Sequence, residues 1–191
     1  MFTEPYTKGE RRGWIEVICG SMFSGKTEEL IRRLKRARIA NMKVAIFKPS
    51  IDKRYHEQQI VSHDENAILS TPVENAASIL SFVHKTDVIG IDEIQFFDDD
   101  ILVVCNQLAL QGIRVIVAGL DMDYAGKPFG QVPGLLATAE YITKLHAICA
   151  RCGNIANYSY RKTSGEGEAQ IIIGESNIYE PRCRHCYNME E

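Results

Sequence analysis

The sequence predicts an α/β fold, in which helices cover both faces of a mostly parallel sheet, followed by a small cysteine-rich lobe. Short apolar runs alternate with helical stretches along the first part of the chain, which is the pattern of βα units. Two CxxC pairs occur near the C-terminus. The 191 residues are 45% hydrophobic and 25% charged, a composition typical of globular domains that excludes disordered and collagen-like chains.

The first strand is predicted at residues 14–19, an apolar run that ends at Gly20. The first helix is predicted from residue 27 to about residue 40, because Leu30, Ile31, Leu34 and Ala37 recur at helical spacing and form one apolar face. Further strands are predicted at 43–47, 87–91 and 114–118, and further helices at 73–84 and 98–111.

The character of the sequence changes after about Lys144, where strand-like segments at 155–161 and 169–173 flank a polar turn. We therefore predict a polar leader (1–13), an α/β domain (14–143) and a C-terminal lobe (144–191). Such a small lobe buries little apolar surface, so a bound metal is a suitable cross-link. The leader has no apolar core and no run approaches the ~18 apolar residues of a membrane-spanning helix, so we expect a cytoplasmic protein without membrane contacts.

The link between the first strand and the first helix has the phosphate-loop pattern GxxxxGK[ST], with the sequence GSMFSGKT at residues 20–27. Backbone N–H groups of such a loop surround phosphate oxygens, and the helix N-terminus adds positive charge. Lys26 is expected to reach the β- and γ-phosphates of ATP, and Thr27 to bind Mg²⁺. The predicted ATP-binding residues are Gly20, Ser21, Met22, Phe23, Ser24, Gly25, Lys26 and Thr27, in a P-loop (RecA-like) sheet.

Two carboxylates follow the predicted strand at 87–91. Asp92, at the end of that strand, is expected to hold Mg²⁺ together with Thr27. Glu93 is adjacent and can serve as a general base. The combination predicts an enzyme that uses ATP and Mg²⁺.

Four of the six cysteines form two CxxC pairs, Cys149 with Cys152 and Cys183 with Cys186. Two such turns can complete a tetrahedron of thiolates around Zn²⁺, and four protein ligands indicate a structural rather than a catalytic ion. Redox-active dithiols are the alternative interpretation, and His185 is an alternative ligand for one cysteine. The other two cysteines lie in apolar stretches and are predicted to be core thiols, at Cys19 and Cys105.

From Trp14 to Tyr187 the chain resembles the type II thymidine kinases, a cytosolic, tetrameric family with a P-loop and a zinc-bearing lasso domain. Besides the phosphate loop and the CxxC pairs, the resemblance rests on DKRY at 52–55, SHD at 62–64, IDEIQFF at 91–97, GLD at 119–121 and KPFG at 127–130.

The resemblance implies transfer of the γ-phosphoryl group of ATP to the 5′-hydroxyl of thymidine, which gives dTMP and ADP. Glu93 matches the family's catalytic base and contacts the substrate. Arg54 matches an arginine near the transferring phosphates, and Asp52 is its neighbour in the active site. The resemblance also implies a homotetramer, feedback inhibition by dTTP, and the lasso as the domain at 144–191.

Further positions match the family's thymidine pocket. Around the base and sugar they are Met22, Phe96, Leu120, Tyr124 and Phe129. In the lasso they are Ser159, Gln170, Ile171, Ile172, Ile173, Gly174 and Tyr179, and Tyr179 is expected to hydrogen-bond the sugar. Tyr124, Ser159 and Gln170 stand where relatives carry Phe, Thr and an apolar residue, which affects the pocket's shape rather than its chemistry. Asp123 has no assigned role.

Two other functions are compatible with part of the pattern. A P-loop ATPase with a nucleic-acid-binding zinc ribbon would use the same carboxylates, and the basic residues between Arg32 and Arg38 favour it. The net charge of −3 and the mixed charges of the C-terminal lobe argue against nucleic acid. A non-catalytic, nucleotide-gated interaction module is the second alternative, and the intact Lys26, Thr27, Asp92 and Glu93 argue against it.

Overall fold

The computed structural model describes residues 12–51, 59–61, 67–83, 85–162 and 178–189. Short 3₁₀ turns occur at Ala77–Phe82 and Ile94–Phe96. The helices and strands are β1 (Trp14–Gly20), α1 (Lys26–Ile39), β2 (Val44–Pro49), β3 (Gln59–Val61), β4 (Ala67–Leu69), β5 (Thr71–Val73), β6 (Val88–Ile91), α2 (Ile101–Leu110), β7 (Arg114–Gly119), α3 (Val132–Thr138), β8 (Tyr141–Leu145), β9 (Ala147–Ile148), β10 (Ile155–Ala156), β11 (Tyr158–Arg161), β12 (Tyr179–Arg182) and α4 (Arg184–Asn188).

A six-stranded sheet in the order β5-β2-β6-β7-β1-β8 organises the structure, and every neighbouring pair in it is parallel. Helix α1 packs its apolar side on one face, against residues such as Ile18 and Ile116. Helices α2 and α3 pack on the other face, against Val17, Val115 and Val117. The predicted α/β class with helices on both faces is confirmed, because alternate residues of the strands are buried in two separate clusters.

The predicted strands before and after the first helix, and those at 87–91 and 114–118, correspond to β1, β2, β6 and β7. The helix predicted at 73–84 is wrong, since Val73 ends β5 and only a 3₁₀ turn follows. Asn75 lies just before this turn, and its side-chain oxygen accepts hydrogen bonds from the N–H and the hydroxyl of Ser78, which caps the start of the turn.

Strand β8 was not predicted, and it pairs in parallel with β1 at one edge of the sheet. The sheet therefore continues to Leu145, past the expected domain boundary at Thr143. The side chains of β8 are only partly buried, as expected for an edge strand, so the sequence has no buried apolar run there that would predict a strand.

The C-terminal lobe consists of two antiparallel pairs, β9 with β10 and β11 with β12, followed by the short helix α4. The strand predicted at 155–161 is two strands, separated at Asn157. The strand predicted at 169–173 and most of the polar turn before it lie outside the described residues.

A buried cluster of charges joins the N-terminal ends of β1, β7 and the side of α1. The Glu16 carboxylate is fully buried and accepts hydrogen bonds from Arg33 Nη1 at 2.8 Å and from Arg114 Nε at 2.6 Å. Trp14 Nε1 donates to the same carboxylate at 2.7 Å. This cluster lies at the opposite end of β1 from the phosphate loop, so it stabilises the fold without contacting the predicted site. Among the described helices, none has the length and apolar character needed to cross a bilayer.

Candidate active site

The phosphate loop connects the C-terminal end of β1 to the N-terminus of α1. Its backbone is left-handed at Phe23 (φ 64°) and Gly25 (φ 82°), and Gly20 has φ 146°. Gly25 is the N-cap of α1 and has no side chain to cap the first N–H groups of the helix. Those groups are therefore available to phosphate oxygens, as the motif predicts.

Two side chains of the loop make contacts that bear on nucleotide binding. Lys26 Nζ donates a hydrogen bond to the carbonyl of Ser21 at 2.7 Å, so the ammonium lies inside the loop. Thr27 Oγ1 lies 3.2 Å from Asp92 Oδ2 and donates to it. The hydroxyl belongs to α1 and the carboxylate to the residue directly after β6, and together they offer two oxygen ligands of the kind that Mg²⁺ prefers.

Burial and charge change the ionisation of this group. Burial, followed by repulsion from Glu93, raises the pKa of Asp92 to about 7. Burial lowers the pKa of the Lys26 ammonium, and the carboxylates of Glu93 and Asp92 oppose that shift. A site with two adjacent carboxylates and one buried ammonium is suited to a divalent cation and a polyphosphate, which would balance these charges.

Glu93 has a left-handed backbone conformation (φ 51°, ψ 43°) directly after β6, an uncommon one for a residue with a side chain. Gln95 Nε2 donates to Glu93 Oε2 at 2.5 Å, while Gln95 Oε1 accepts from the Leu120 N–H at 2.9 Å. The Gln95 side chain thus connects the predicted base with the predicted nucleoside pocket. Glu93 itself is partly exposed at the end of the sheet, where a substrate hydroxyl can reach it.

The aromatic residues predicted to surround the base lie in the segments that follow β6 and β7. The rings of Phe96 and Phe129 meet edge to face, with centroids 5.7 Å apart. Arg161, from β11, lies over the ring of Tyr124 with its guanidinium carbon 5.3 Å from the centroid. The rings are partly exposed, and Leu120 is linked to Glu93 through the Gln95 amide, so apolar side chains of the kind that pack on a flat ring lie near this carboxylate.

Asp123, which the sequence left without a role, shapes the loop that carries these rings. Its Oδ1 accepts hydrogen bonds from the N–H groups of Ala125 and Lys127, each at 2.9 Å. Its own N–H donates to the Lys127 carbonyl at 2.8 Å. A buried Asp in this position forms a tight turn and fixes the course of the chain between Leu120 and Phe129.

The four cysteines of the CxxC pairs form one cluster. Their Sγ atoms all lie within 4.8 Å of one another, which compares with about 3.8 Å between thiolates bound tetrahedrally to one Zn²⁺. Burial opposes ionisation of Cys149, but hydrogen bonds from the backbone of Cys183 and Cys152 prevail and bring its pKa down to about 6. A hydrogen bond from the Cys186 N–H lowers the pKa of Cys183. Hydrogen bonding with Cys152 and burial instead raise the pKa of Cys186 to about 12, so a cation is needed to hold all four sulfurs as thiolates, and their close spacing allows them to bind a metal ion.

The cysteine lobe packs directly on the phosphate loop. The Met22 N–H donates to Ser159 Oγ at 3.0 Å, and Ser21 Oγ lies 3.4 Å from the carbonyl of Ala156. Phe23 packs against the apolar cluster formed around the cysteines. Of the predicted lasso residues, Ser159 and Tyr179 lie buried on the paired strands β11 and β12.

Tyr187, which the sequence did not single out, joins α4 to the loop after β7. Its hydroxyl donates to the Tyr124 carbonyl at 2.7 Å, and its ring stacks on Tyr158 at 4.4 Å between centroids. Other predicted site residues lie outside the described residues: Asp52, Arg54, Gln170, Ile171, Ile172, Ile173 and Gly174.

Comparison with known proteins decides the family. The family model described as thymidine kinase matches residues 13–187, nearly the whole chain. The chain belongs to the thymidine kinase family. Family membership confirms the resemblance found in the sequence and identifies the protein as a kinase.

Individual relatives agree with the family match. The chain is 56% identical to the thymidine kinase of Bacteroides thetaiotaomicron over 188 residues, covering 98% of this chain and 94% of that protein. It is 59% identical to the Porphyromonas gingivalis thymidine kinase, with coverage of 93% and 86%. With the thymidine kinase of a Rhodothermus species the identity is 60%, with coverage of 92% and 81%.

Among solved structures, the chain is similar to the flagellar accessory protein FlaH from Methanocaldococcus jannaschii. The TM-score is 0.52 at 13% sequence identity, and the match covers 76% of each chain. At this identity the likeness concerns the fold alone.

Two site residues could not be identified from the sequence, for different reasons. Gln95 stands within the IDEIQFF string, but only the three-dimensional structure shows that its amide reaches both Glu93 and Leu120. Tyr187 follows a zinc-ligand candidate directly, a position that signals packing around the metal rather than contact with a distant loop. The turn of Asp123 has a readable signal, since Asp with Gly126 three residues later is typical of tight turns.

Proposed function

We propose that the protein is an ATP:thymidine 5′-phosphotransferase. One observation carries the proposal: a phosphate loop, a Thr27–Asp92 oxygen pair and a carboxylate at Glu93 converge beside an apolar aromatic surface. The first two features suit MgATP, the third suits an alcohol acceptor, and the fourth suits a nucleobase. Membership of the thymidine kinase family supports thymidine as the acceptor.

In the proposed reaction the phosphate loop and Lys26 hold the β- and γ-phosphates of ATP. For this the Lys26 ammonium leaves the Ser21 carbonyl, which it contacts at 2.7 Å, and turns toward phosphate oxygens. Thr27 and Asp92 would hold Mg²⁺, which neutralises charge on the phosphates when bound. The oxygens of both residues are adjacent and fit that ion.

Glu93 is proposed as the general base. As the 5′-oxygen of thymidine forms its bond to the γ-phosphorus, the bond from that phosphorus to the β,γ-bridging oxygen breaks and ADP leaves. The hydroxyl proton passes to the Glu93 carboxylate. Arg54 and Asp52 are proposed to act near the transferring phosphates, as the resemblance implies.

Thymidine is proposed to lie against Phe96, Leu120, Tyr124 and Phe129, with Met22 at the phosphate end of the pocket. The lasso residues Ser159 and Tyr179, together with residues 170–174, are proposed to complete the pocket. The hydrogen bond from Met22 to Ser159 supports this arrangement, since it brings the lasso next to the phosphate loop.

The four-cysteine cluster is proposed to hold one structural Zn²⁺. Four sulfur ligands leave no coordination position open for a substrate, so the ion would fix the lobe rather than take part in phosphoryl transfer. Elemental analysis of protein purified without chelator should give close to one zinc per chain. Protein without zinc or another metal would contradict this assignment.

We also propose two domains that divide at the end of β8, close to the boundary predicted from the sequence (14–143 and 144–191). As the family resemblance implies, we further propose a homotetramer, inhibition by dTTP and a cytoplasmic location. Light scattering of purified protein measures the oligomeric state. Initial rates at fixed thymidine and increasing dTTP test the inhibition.

The decisive experiment is an ATP-dependent kinase assay with each of the four deoxynucleosides. Thymidine should be phosphorylated in preference to the others, and Glu93→Gln should reduce turnover at least about 10²-fold while ATP binding persists. Preference for a purine deoxynucleoside would overturn the substrate assignment. ATP hydrolysis that needs no acceptor but responds to DNA would instead favour the zinc-ribbon ATPase.

A further inference from the structure

The Gln95 side chain bridges two parts of the active site that lie on neighbouring strands. One end of the amide donates to the Glu93 carboxylate at 2.5 Å, and the other end accepts from the Leu120 backbone N–H at 2.9 Å. Glu93 follows β6 and Leu120 follows β7, so the amide joins the C-terminal ends of these two neighbouring strands.

The orientation of this amide is determined by its surroundings. Leu120 offers a donor, so the Gln95 oxygen must face it and the NH₂ group must face Glu93; the reverse orientation would place like partners together at both ends. Gln95 is buried, with 4% of its surface exposed, which leaves little room for another rotamer.

Two glycines provide the space for this arrangement. A Cβ atom at Gly119 would collide with Gln95 Oε1 and with Ile94 Cγ2, and a Cβ at Gly130 would lie 2.8 Å from the Gln95 carbonyl oxygen. Gly130 also has φ +50°, in the left-handed region that favours glycine. The close approach at both positions indicates that the placement of Gln95 is built into the loops around it.

We propose that Gln95 is the positioning residue that aims the Glu93 carboxylate at the nucleoside hydroxyl. Its N–H holds one carboxylate oxygen, and a carboxylate has further acceptor positions for the substrate. Its hydrogen bond with Leu120 connects the general base, Glu93, to the loop that forms the nucleoside pocket. The proton acceptor and the nucleoside are therefore fixed in position relative to each other. This inference rests on the proposed function, in which Glu93 takes the hydroxyl proton.

A double-mutant cycle tests whether Gln95 acts through Glu93. Gln95→Met keeps the length and volume of the side chain but loses both of its hydrogen bonds. The kcat for thymidine should fall about 10- to 100-fold, with KM for ATP unchanged within about twofold. Adding Gln95→Met to Glu93→Gln should cost less than about twofold further in kcat, because the oriented base is already gone. Additive losses in the double variant would overturn the proposal.

Gln95→Asn serves if the Met variant does not fold, since it retains an amide that is shorter by one methylene and cannot span both partners. It should also lower kcat, by about tenfold, and wild-type kcat in a folded Asn variant would overturn the proposal. Gln131→Met is the matched control, because its amide donates to Asp99 at 2.6 Å on the surface, and its kcat should equal that of the wild type.

The wild-type protein, assayed alongside, separates the two ideas. Thymidine turnover by the wild type with equal kcat in the Gln95 variants contradicts the positioning role alone. A wild type without thymidine turnover contradicts the proposed function, and the positioning role with it.

Discussion

Replacing Glu16 with leucine should destabilise the protein by about 3–5 kcal/mol, because it removes the anion from a buried cluster that contains two guanidinium groups. Glu16 is fully buried, and the side chains of Arg33 and Arg114 are 1% and 4% exposed. Water cannot replace the lost carboxylate at such depth. The cost therefore lies near the range measured when one member of a buried ion pair is removed.

Replacing Arg33 with methionine should cost less, about 2–3 kcal/mol, because Glu16 still accepts three of its four hydrogen bonds. Two of these come from Arg114, at 2.6 and 3.3 Å, and one comes from Trp14 at 2.7 Å. The structure thus predicts an order, with the central carboxylate more costly to remove than either of its partners.

Urea unfolding at one fixed protein concentration measures both free energies. Arg32→Met is the control on the same helix: it breaks an ion pair in which Arg32 is 51% exposed, and should cost less than about 1 kcal/mol. Turnover of the folded Glu16 and Arg33 variants should match the wild type, because the cluster is remote from the phosphate loop. A Glu16→Leu loss below about 1 kcal/mol, or a larger loss for Arg33→Met, would refute the reasoning.

Three further predictions concern the thiols and the loop after β7. Burial raises the pKa of Cys19 to about 11 and that of Cys105 to about 12. Iodoacetamide at neutral pH should therefore leave both thiols unlabelled in the folded protein, even when any metal has been removed from the other four cysteines. Mass spectrometry of labelled peptides checks this. Asp123→Ala, which frees two backbone N–H groups, should cost about 1–2 kcal/mol in urea unfolding and raise KM for thymidine more than for ATP. Tyr187→Phe keeps the ring but loses its hydrogen bond to the Tyr124 carbonyl, and should cost about 1 kcal/mol with the same KM pattern; an equal rise in both KM values would contradict it.

Local motifs explain why much of the site could be predicted. The phosphate loop, its flanking β1 and α1, and the carboxylates after β6 are each specified within a few neighbouring residues. The four cysteines were predicted to meet because two CxxC turns can complete one tetrahedral site, and their sulfurs do cluster. These features need no knowledge of how distant segments pack.

The errors and omissions depend on non-local contacts. The predicted helix at 73–84 had suitable residues, but Val73 pairs with Pro49 of β2 and so belongs to β5. Strand β8 lies at the edge of the six-stranded sheet, where it pairs with β1, and it lacks an apolar run. The contact between Gln95 and Leu120 depends on β6 and β7 being neighbours, which the sequence leaves open.

The cysteine lobe touches both the phosphate loop and the loop after β7, and this determines what loss of the proposed zinc would do. It meets the phosphate loop through Ser159 with Met22 and through packing on Phe23, and it meets the nucleoside loop through Tyr187 with Tyr124. Because Cys186 directly precedes Tyr187 on α4, release of the cysteines should free Tyr187, which makes the contact with Tyr124. It should also free the strand of Ser159, which makes the contact with Met22. Removal of the proposed zinc should therefore weaken binding of ATP and of thymidine together, whereas Tyr187→Phe should raise KM for thymidine more than KM for ATP.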